Sequence, residues 1–335
     1  MPGIRTEVTE IVTGLGTLGI ATLDEAAWRL PLELTNVEDS HWRRLHAALG
    51  DPVYADAVAS AWENGRAFLQ ARDGLRGRLP LTVEWKGPHR PPGYDSLPAD
   101  LRIDHVYLVS CKYLSKILAN PSPAHLFERA LAVRGSRSAS DWFMSVAEDA
   151  YRVFYDEVRR TLESSAALPR DPSELTARDR ERIKEACARR WPGALEAAYV
   201  EFSAEVSRRS ADVWNRALPT LQDRELLLWR MLRLESAPYF ILGSSGSSSL
   251  RLRVATPWDW RRAFELKDFE IVPETSVQPR IAWSAKVTRR SDAATLSVEG
   301  HVEIRWSHGR FCGSPEAKVY LDTPHEDVPG YFALV

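Results

Sequence analysis

Acidic and basic side chains suited to phosphoryl chemistry concentrate in one stretch of the chain, residues 63–112. Cleavage of a phosphodiester bond with a metal ion needs carboxylates that hold a hard cation such as magnesium. It also benefits from a lysine that orients water and stabilises negative charge. The stretch supplies the following candidates for these roles: Glu63, Glu84, Asp100, Asp104 and Lys112.

Two polar pairs lie on otherwise apolar strands in this stretch. Alternate residues of a strand share a face, so Ser110 points the same way as Lys112, and Glu84 the same way as Lys86. A lysine at the end of a run as apolar as VYLVSCK is costly to bury without a partner. Lys112 therefore marks either a functional site or the point where a buried strand reaches solvent and the lysine extends outward.

Each acid also has a purely structural interpretation. Glu63 falls on the charged side of an amphipathic helix. Glu84 could form a surface pair with Lys86 on an edge strand. Asp100 could serve only as a turn residue, and Asp104 only as a strand-end residue. The concentration of all these residues in one stretch favours the functional interpretation.

The elements that position these residues follow from hydrophobic spacing and turn signals. Residues 54–69 repeat apolar side chains at helical spacing and predict a helix. Residues 81–85 predict a short strand, and the proline-rich residues 88–100 predict a loop. Residues 101–113 predict one strand buried on both faces. A Ser-Pro start signal predicts a further helix within residues 121–133.

This order of elements and polar residues resembles the PD-(D/E)xK nuclease superfamily, the fold of many restriction endonucleases. There an acidic helix precedes a strand meander that carries an aspartate and then an (E/D/S)xK tripeptide. The resemblance covers roughly residues 54–133, with Glu63 as the helix acid and the Ser-Cys-Lys sequence ending at Lys112 as the tripeptide. The motif aspartate is Asp100 or Asp104, and the hairpin-compatible spacing favours Asp100.

The resemblance implies an activity, a cofactor and a substrate. The chain is expected to be a magnesium- or manganese-dependent endonuclease that cleaves DNA, double-stranded DNA above all, in restriction or host defence. Lys112 would position the attacking water, and Ser110, at the position of the usual acid, would hydrogen-bond beside the metal. The acids expected to bind the metal are Glu63, Glu84, Asp100 and Asp104.

A second set of residues competes for the same motif. Asp73, Glu84 and Lys86 form an aspartate followed by an ExK tripeptide within ARDGLRGRLPLTVEWK. Asp73 precedes a glycine at the end of a predicted helix, which is typical of a turn residue. The placement on Lys112 is therefore preferred.

The chain as a whole predicts an α+β, or mixed α/β, fold with a restriction-endonuclease-like core, a helical insertion and a C-terminal antiparallel sheet. At 335 residues it is longer than one core usually supports. The predicted parts are a helical lead-in, a nuclease-like core, a helical domain or insertion, and a β-rich region that could complete the core sheet: 1–50, 51–135, 136–236 and 237–335.

The predicted C-terminal sheet carries basic residues interleaved with Trp283, Trp306 and Phe311. Such a mixture suits phosphate contact and base stacking. The alternative is a solvated polar face whose aromatic side chains point to the core. The candidate nucleic-acid-binding residues are Lys286, Arg289, Arg290, Arg305, His308 and Arg310.

Composition sets limits on other classes of function. The formal net charge of -2 excludes a uniformly basic surface but allows a local basic patch. The three cysteines form no CxxC pair, which argues against a zinc ribbon or a disulfide framework. No apolar run is long enough for a membrane helix, and we expect a cytoplasmic protein without a membrane partner. The GxGxxG match at residues 14–19 lacks a preceding strand and predicts a loop between helices.

The alternative to a nuclease is a non-catalytic subunit that binds nucleic acid or a protein partner and keeps a degenerate nuclease fold. Serine at the acid position of the tripeptide favours this alternative. A third hypothesis is a scaffold in which long helices such as the one containing ELLLWRMLRL form a protein interface or a homodimer.

Overall fold

The computed structural model divides the chain into two compact units. Unit 1 comprises residues 1–116, 232–264 and 324–335, and unit 2 comprises residues 117–231 and 265–323. The residues that the structure describes are 3–87, 99–129, 131, 141–162, 168–187, 190–193, 195–236, 238–246 and 248–335. Most of the proline-rich loop predicted at 88–100 lies outside these described residues.

Helices occur in both units. Unit 1 contains the first four and the last, and unit 2 contains the others. In chain order they are α1 (Ile4–Gly16), α2 (Leu23–Arg29), α3 (Asp39–Leu49), α4 (Ala55–Gln70), α5 (Pro123–Phe127), α6 (Trp142–Leu162), α7 (Ala177–Ala186), α8 (Leu195–Ala217), α9 (Leu221–Met231) and α10 (Pro257–Ala263). No helix within the described ranges has the length and apolar character needed to cross a membrane.

The strands form one mixed and one antiparallel sheet. In chain order they are β1 (Leu34–Thr35), β2 (Val83–Trp85), β3 (Leu101–Ile103), β4 (Tyr107–Tyr113), β5 (Ile117–Ala119), β6 (Tyr239–Ser245), β7 (Ser248–Val254), β8 (Phe264–Glu274), β9 (Arg280–Arg289), β10 (Thr295–Trp306), β11 (Pro315–Leu321) and β12 (Tyr331–Ala333). The mixed α+β class predicted from the sequence is confirmed.

The mixed sheet belongs to unit 1 and has the strand order β1-β2-β3-β4-β6-β7-β12. Strands β2, β3 and β4 form an antiparallel meander, and β6 runs parallel to β4. The sheet therefore joins a meander from the first third of the chain to strands that follow residue 238. The second sheet has the order β5-β11-β10-β9-β8.

Residues 101–113 form two strands and not the single strand that their apolar character predicts. Asp104 and His105 have positive φ angles of 49° and 61° and make a tight turn between β3 and β4. The turn pairs Leu101 with Val109 across the hairpin. Hydrophobicity alone gives no signal for such a turn, because apolar residues occur on both sides of it.

Of the glycines in residues 14–19, only Gly19 lies in the predicted loop between helices, where its φ is 70°. Gly14 and Gly16 lie within the last turns of α1, where it packs against α4. A Cβ at Gly16 would lie 2.6 Å from the Trp62 carbonyl oxygen, and one at Gly65 would lie 2.2 Å from the Thr13 carbonyl oxygen. Glycine at these positions allows the close approach of the two helix backbones.

Unit 2 has an aromatic core between its long helices and its antiparallel sheet. Phe154 of α6 and Phe202 of α8 stack with ring centroids 5.2 Å apart. Trp306 and Phe311 stack 4.8 Å apart, and Phe143 packs edge-on against Trp306. Aromatic pairs of this kind add to the burial of apolar surface that holds helices on a sheet.

Candidate active site

Asp100 lies directly before β3, next to the Ser-Cys-Lys sequence of β4. Its Oδ2 atom accepts a hydrogen bond from Ser110 Oγ at 3.1 Å and one from the Cys111 backbone N–H at 2.7 Å. Its own backbone N–H donates to the Val109 carbonyl oxygen at 2.9 Å. The β3–β4 hairpin thus brings the preferred motif aspartate into contact with the tripeptide.

The tripeptide presents its side chains to two faces of the mixed sheet. Tyr113 faces α1, where its hydroxyl oxygen lies 2.6 Å from Thr13 Oγ1. Alternation along β4 puts Cys111 on that face and puts Ser110 and Lys112 on the opposite one. The register pairs Leu108 with Tyr239, so Tyr239 of β6 shares the face of Lys112. We call this surface the lysine face.

Lys112 is half-buried, and its pKa is lowered. Removal of the ammonium group from water is the largest cause, and the positive charge of Arg233 adds to it. The negative charges of Asp100 and Glu10 act in the opposite direction. A lysine in such surroundings can stabilise developing negative charge or take part in proton transfer.

Glu10 of α1 is a buried acid whose charge acts on Lys112. It is 8% exposed, and its Oε2 accepts a hydrogen bond from Trp85 Nε1 at 2.7 Å. Burial raises the pKa of Glu10 well above its usual value, and the negative charge of Asp100 raises it further. Lys112 acts to lower it. Two carboxyl groups and one ammonium group from separate elements therefore interact in unit 1.

Glu10 was not predicted as a site residue, because residues 1–50 were assigned to a helical lead-in. A signal was present, since Glu10 stands among Val8, Ile11 and Val12 on a helix that buries nearly all its side chains. A charged residue at an apolar position is rarely buried unless it has a partner or a function.

Glu63, the predicted helix acid, is exposed on α4. The buried polar residue of that helix is its neighbour Asn64, whose Nδ2 donates to the Gly243 carbonyl oxygen at 2.8 Å. No shared contact joins Glu63 to Asp100 or Lys112 among the contacts of the described residues. The prediction that Glu63 binds metal gains no support from this position.

Glu84 forms a cross-strand ion pair. Its carboxylate accepts hydrogen bonds from Arg102 at 2.5 Å and 2.9 Å, and His105 Nδ1 lies 3.2 Å from it. Glu84 and Arg102 are directly opposite in the β2–β3 register. Arg102 therefore neutralises the carboxylate. The structural alternative to metal binding predicted an ion pair of Glu84, but with Lys86 as the partner.

Asp104 serves the turn between β3 and β4. Its Oδ1 accepts hydrogen bonds from the backbone N–H groups of Leu81 and Thr82, and its Oδ2 lies 2.7 Å from Arg78. Partial burial works to raise the pKa of Asp104, but the hydrogen bonds to Arg78 and the backbone lower it overall. Through these contacts Asp104 stabilises the loop before β2.

Asp73, the aspartate of the competing motif, makes structural contacts. Asp73 lies 3.4 Å from Arg253 Nε, and its backbone N–H donates to the Val335 carbonyl oxygen at 3.0 Å. Its role is to tie the chain after α4 to β7 and to the C-terminal residues.

Carboxylates are the ligands that a hard cation such as magnesium prefers. Within the described ranges there is no group of at least three His, Cys, Asp or Glu side chains arranged to hold a metal ion. The negative charges of Asp100 and Glu7 both raise the pKa of Glu10. Magnesium commonly keeps several waters and binds through one or two carboxylates.

The predicted basic residues of unit 2 have acidic neighbours. Lys286 lies 3.3 Å from Asp268, and Arg305 lies 3.0 Å from Glu316. Arg289 and Arg290 have acidic groups at 3.6 Å and 3.4 Å respectively. Their charges are balanced locally, so they do not make a strongly positive face in the absence of a ligand.

Arg310 and His308, the remaining predicted nucleic-acid-binding residues, differ in their surroundings. Arg310 donates a hydrogen bond to the Cys187 carbonyl oxygen, and its guanidinium lies 4.1 Å from the centre of the Trp191 ring. It therefore closes the end of α7. His308 is exposed.

The aromatic residues predicted to stack on bases lie in the core. Trp283, Trp306 and Phe311 are 1%, 5% and 0% exposed. The alternative interpretation, in which these side chains face the core, is the one that the structure shows.

Comparisons with models of protein families, with curated proteins and with solved structures give no match to this chain.

Proposed function

We propose that this chain is a metal-dependent nuclease with a restriction-endonuclease-like core in unit 1. The order of elements supports the proposal. An acid-bearing helix, α1, precedes the meander β2–β3–β4, and β6 runs parallel to the strand that carries the tripeptide. In this proposal Glu10, and not Glu63, takes the place of the helix acid.

The contact between Asp100 and the tripeptide carries the proposal. Asp100 Oδ2 accepts hydrogen bonds from Ser110 Oγ and the Cys111 N–H, and the charge of Asp100 acts on both Lys112 and Glu10. The charge interactions of Asp100 thus reach a lysine on one face of the sheet and a buried acid of α1, which packs on the other face. Burial of opposite charges in one cluster is costly for a structural role and common at active sites.

Glu10 and Asp100 would hold a magnesium or manganese ion. When bound, the ion supplies Lewis-acid stabilisation and lowers the pKa of a water molecule. The Ser110 hydroxyl fixes the orientation of the Asp100 carboxylate by its hydrogen bond. Lys112 contributes a positive charge that orients the water and stabilises the negative charge that forms on the phosphate. Double-stranded DNA in the cytoplasm is the substrate we propose, with host defence as the context.

A second candidate is a non-catalytic subunit that binds nucleic acid or a protein partner. Ser110 stands where the superfamily has an acid, and the described residues lack a group of three metal-binding side chains. In this case the cluster would bind a phosphate or stabilise the hairpin without cleaving DNA.

Cleavage assays separate the two candidates. Labelled plasmid, single-stranded DNA and RNA are incubated with magnesium or EDTA, using the wild-type chain, Lys112→Ala and Glu10→Gln. The matched controls are Lys267→Ala and Glu63→Gln, which change an exposed lysine and the exposed α4 acid. The nuclease proposal expects magnesium-dependent cleavage that is lost in the first two variants and kept in the controls. Absence of cleavage by a folded wild-type chain that binds DNA would favour the binding subunit.

A further inference from the structure

His325 is a buried histidine near the C-terminal strand of the mixed sheet. It lies in the short 3-10 helix His325–Asp327, just before β12, and is 8% exposed. Its ring stacks on Tyr331 with centroids 6.3 Å apart and planes inclined by 21°. The Tyr331 hydroxyl donates to the Leu232 carbonyl oxygen at 3.0 Å, which fixes the ring that supports the imidazole.

The register of the mixed sheet relates His325 to the lysine face. Leu108 of β4 pairs with Tyr239, Tyr239 with Val254 of β7, and Val254 with Tyr331 of β12. Residues paired in this way share one face of a sheet. Tyr331, and the imidazole that stacks on it, therefore belong to the face that carries Ser110 and Lys112.

The Nε2 atom of His325 is buried and has no hydrogen-bond partner among the residues that the structure describes. Buried polar groups in folded proteins almost always have a partner, and the exceptions call for a specific explanation. The unmet hydrogen bond of His325 is explained if a ligand supplies the missing partner.

The charges around the imidazole indicate the chemistry of such a ligand. Burial lowers the pKa of His325 to about 4, and the positive charge of Lys112 lowers it further. Glu326 acts in the opposite direction, and Lys116 lowers the pKa by less than Glu326 raises it. The ring is therefore neutral near pH 7, and among the neighbouring charges that of Lys112 acts on it most. A neutral imidazole with its proton on Nε2 donates a hydrogen bond to an anion that these lysines attract.

We infer that His325 is a phosphate-binding residue of the lysine face, whose Nε2–H donates to a phosphate oxygen held beside Lys112. This contact rests on the proposed function, because it belongs to the same site. The phosphate group could come from a nucleic-acid phosphodiester or from a free phosphate ion. A phosphodiester is the source expected from the proposed nuclease.

Nuclear magnetic resonance of the full chain labelled with ¹⁵N-histidine tests the contact directly. The His325 imidazole signals are assigned by their loss in His325→Gln. They are followed during titration with inorganic phosphate and, separately, with a short duplex DNA, both in EDTA. His125, which is exposed in unit 2, is the internal control. We expect the His325 Nε2 signal to shift with duplex DNA, and a shift with inorganic phosphate alone would assign the contact to free phosphate.

DNA affinity provides the second measurement. His325→Ala removes the donor and is expected to weaken duplex binding about tenfold, whereas His325→Gln keeps an amide N–H at a similar reach and should retain most of the affinity. Unchanged His325 signals in both titrations, or equal affinity of wild type and His325→Ala, would overturn the inference. A response of His325 in a chain that cleaves nothing would refute the nuclease and leave the phosphate contact standing.

Discussion

The neutral state of buried His325 leads to a prediction about acid stability. Its pKa is lowered to about 4 from the ordinary value of 6.5. Between these two values the unfolded chain binds a proton that the folded chain does not bind. The contribution of His325 is therefore fully present above pH 6.5 and is lost as the pH falls toward 4.

The size of the effect follows from proton linkage. With those two pKa values, His325 alone makes the free energy of unfolding fall by roughly 2 kcal/mol between pH 7 and pH 4.5. Glutamine at this position cannot titrate. His325→Gln should therefore lose less stability on acidification, even though other groups titrate equally in both proteins.

Urea denaturation of the wild-type chain and of His325→Gln at several pH values between 7 and 4.5 measures this difference. The quantity of interest is the wild-type free energy minus that of the variant, which cancels the titration of all shared groups. His308→Gln, which changes an exposed histidine, serves as the control. A difference that does not change with pH would show that the imidazole is not held neutral by burial.

Three further substitutions test the structural assignments. Asp104→Ala should lower the free energy of unfolding by about 1–3 kcal/mol, because two backbone N–H groups and Arg78 lose their acceptor; it should leave any metal-dependent cleavage intact. Gly65→Ala should lower the free energy of unfolding by roughly 3 kcal/mol, since the added Cβ would lie 2.2 Å from the Thr13 carbonyl oxygen. Thermal or urea unfolding measures this change. Gly3→Ala is the control and should leave stability unchanged, because an added Cβ there would meet open space. Lys286→Gln should change stability by less than about 1 kcal/mol, as expected for an exposed ion pair, and a larger loss would show that its pair with Asp268 is structural.

Local sequence patterns predicted the helices and strands around the site better than they predicted which residues form the site. The helical spacing of residues 54–69 corresponds to α4, and the short strand before the proline-rich loop corresponds to β2. The preference for Asp100 over Asp104 rested on hairpin spacing, and Asp100 is the one that contacts the tripeptide. These are short-range properties, which turn geometry and strand alternation determine.

The choice of Glu10 as the second acid of the proposed metal site depends on a contact between residues far apart in the sequence. Glu63 was chosen because its helix immediately precedes the meander in the sequence. Glu10 lies much further away in the chain, yet the packing of α1 on β2 and β4 brings it to Trp85. Nothing in local periodicity reports which of two acid-bearing helices contacts the sheet.

The division of the C-terminal strands was also not predictable from local signals. Strands β6, β7 and β12 join the mixed sheet, whereas β8 to β11 form the antiparallel sheet with β5. Alternating hydrophobic patterns identify strands but do not specify their partners. Burial of Trp283 and Trp306 likewise depends on which face of that sheet meets the helices of unit 2.

Binding of Mn²⁺, followed by electron paramagnetic resonance of the free ion, tests most directly whether Glu10 and Asp100 form one metal site. The wild-type chain should bind Mn²⁺, and Glu10→Gln and Asp100→Asn should each weaken binding by more than about tenfold. Glu63→Gln should bind as the wild type does, because its side chain is exposed on α4. Wild-type affinity in Glu10→Gln, or loss of binding in Glu63→Gln, would contradict the site proposed for this chain.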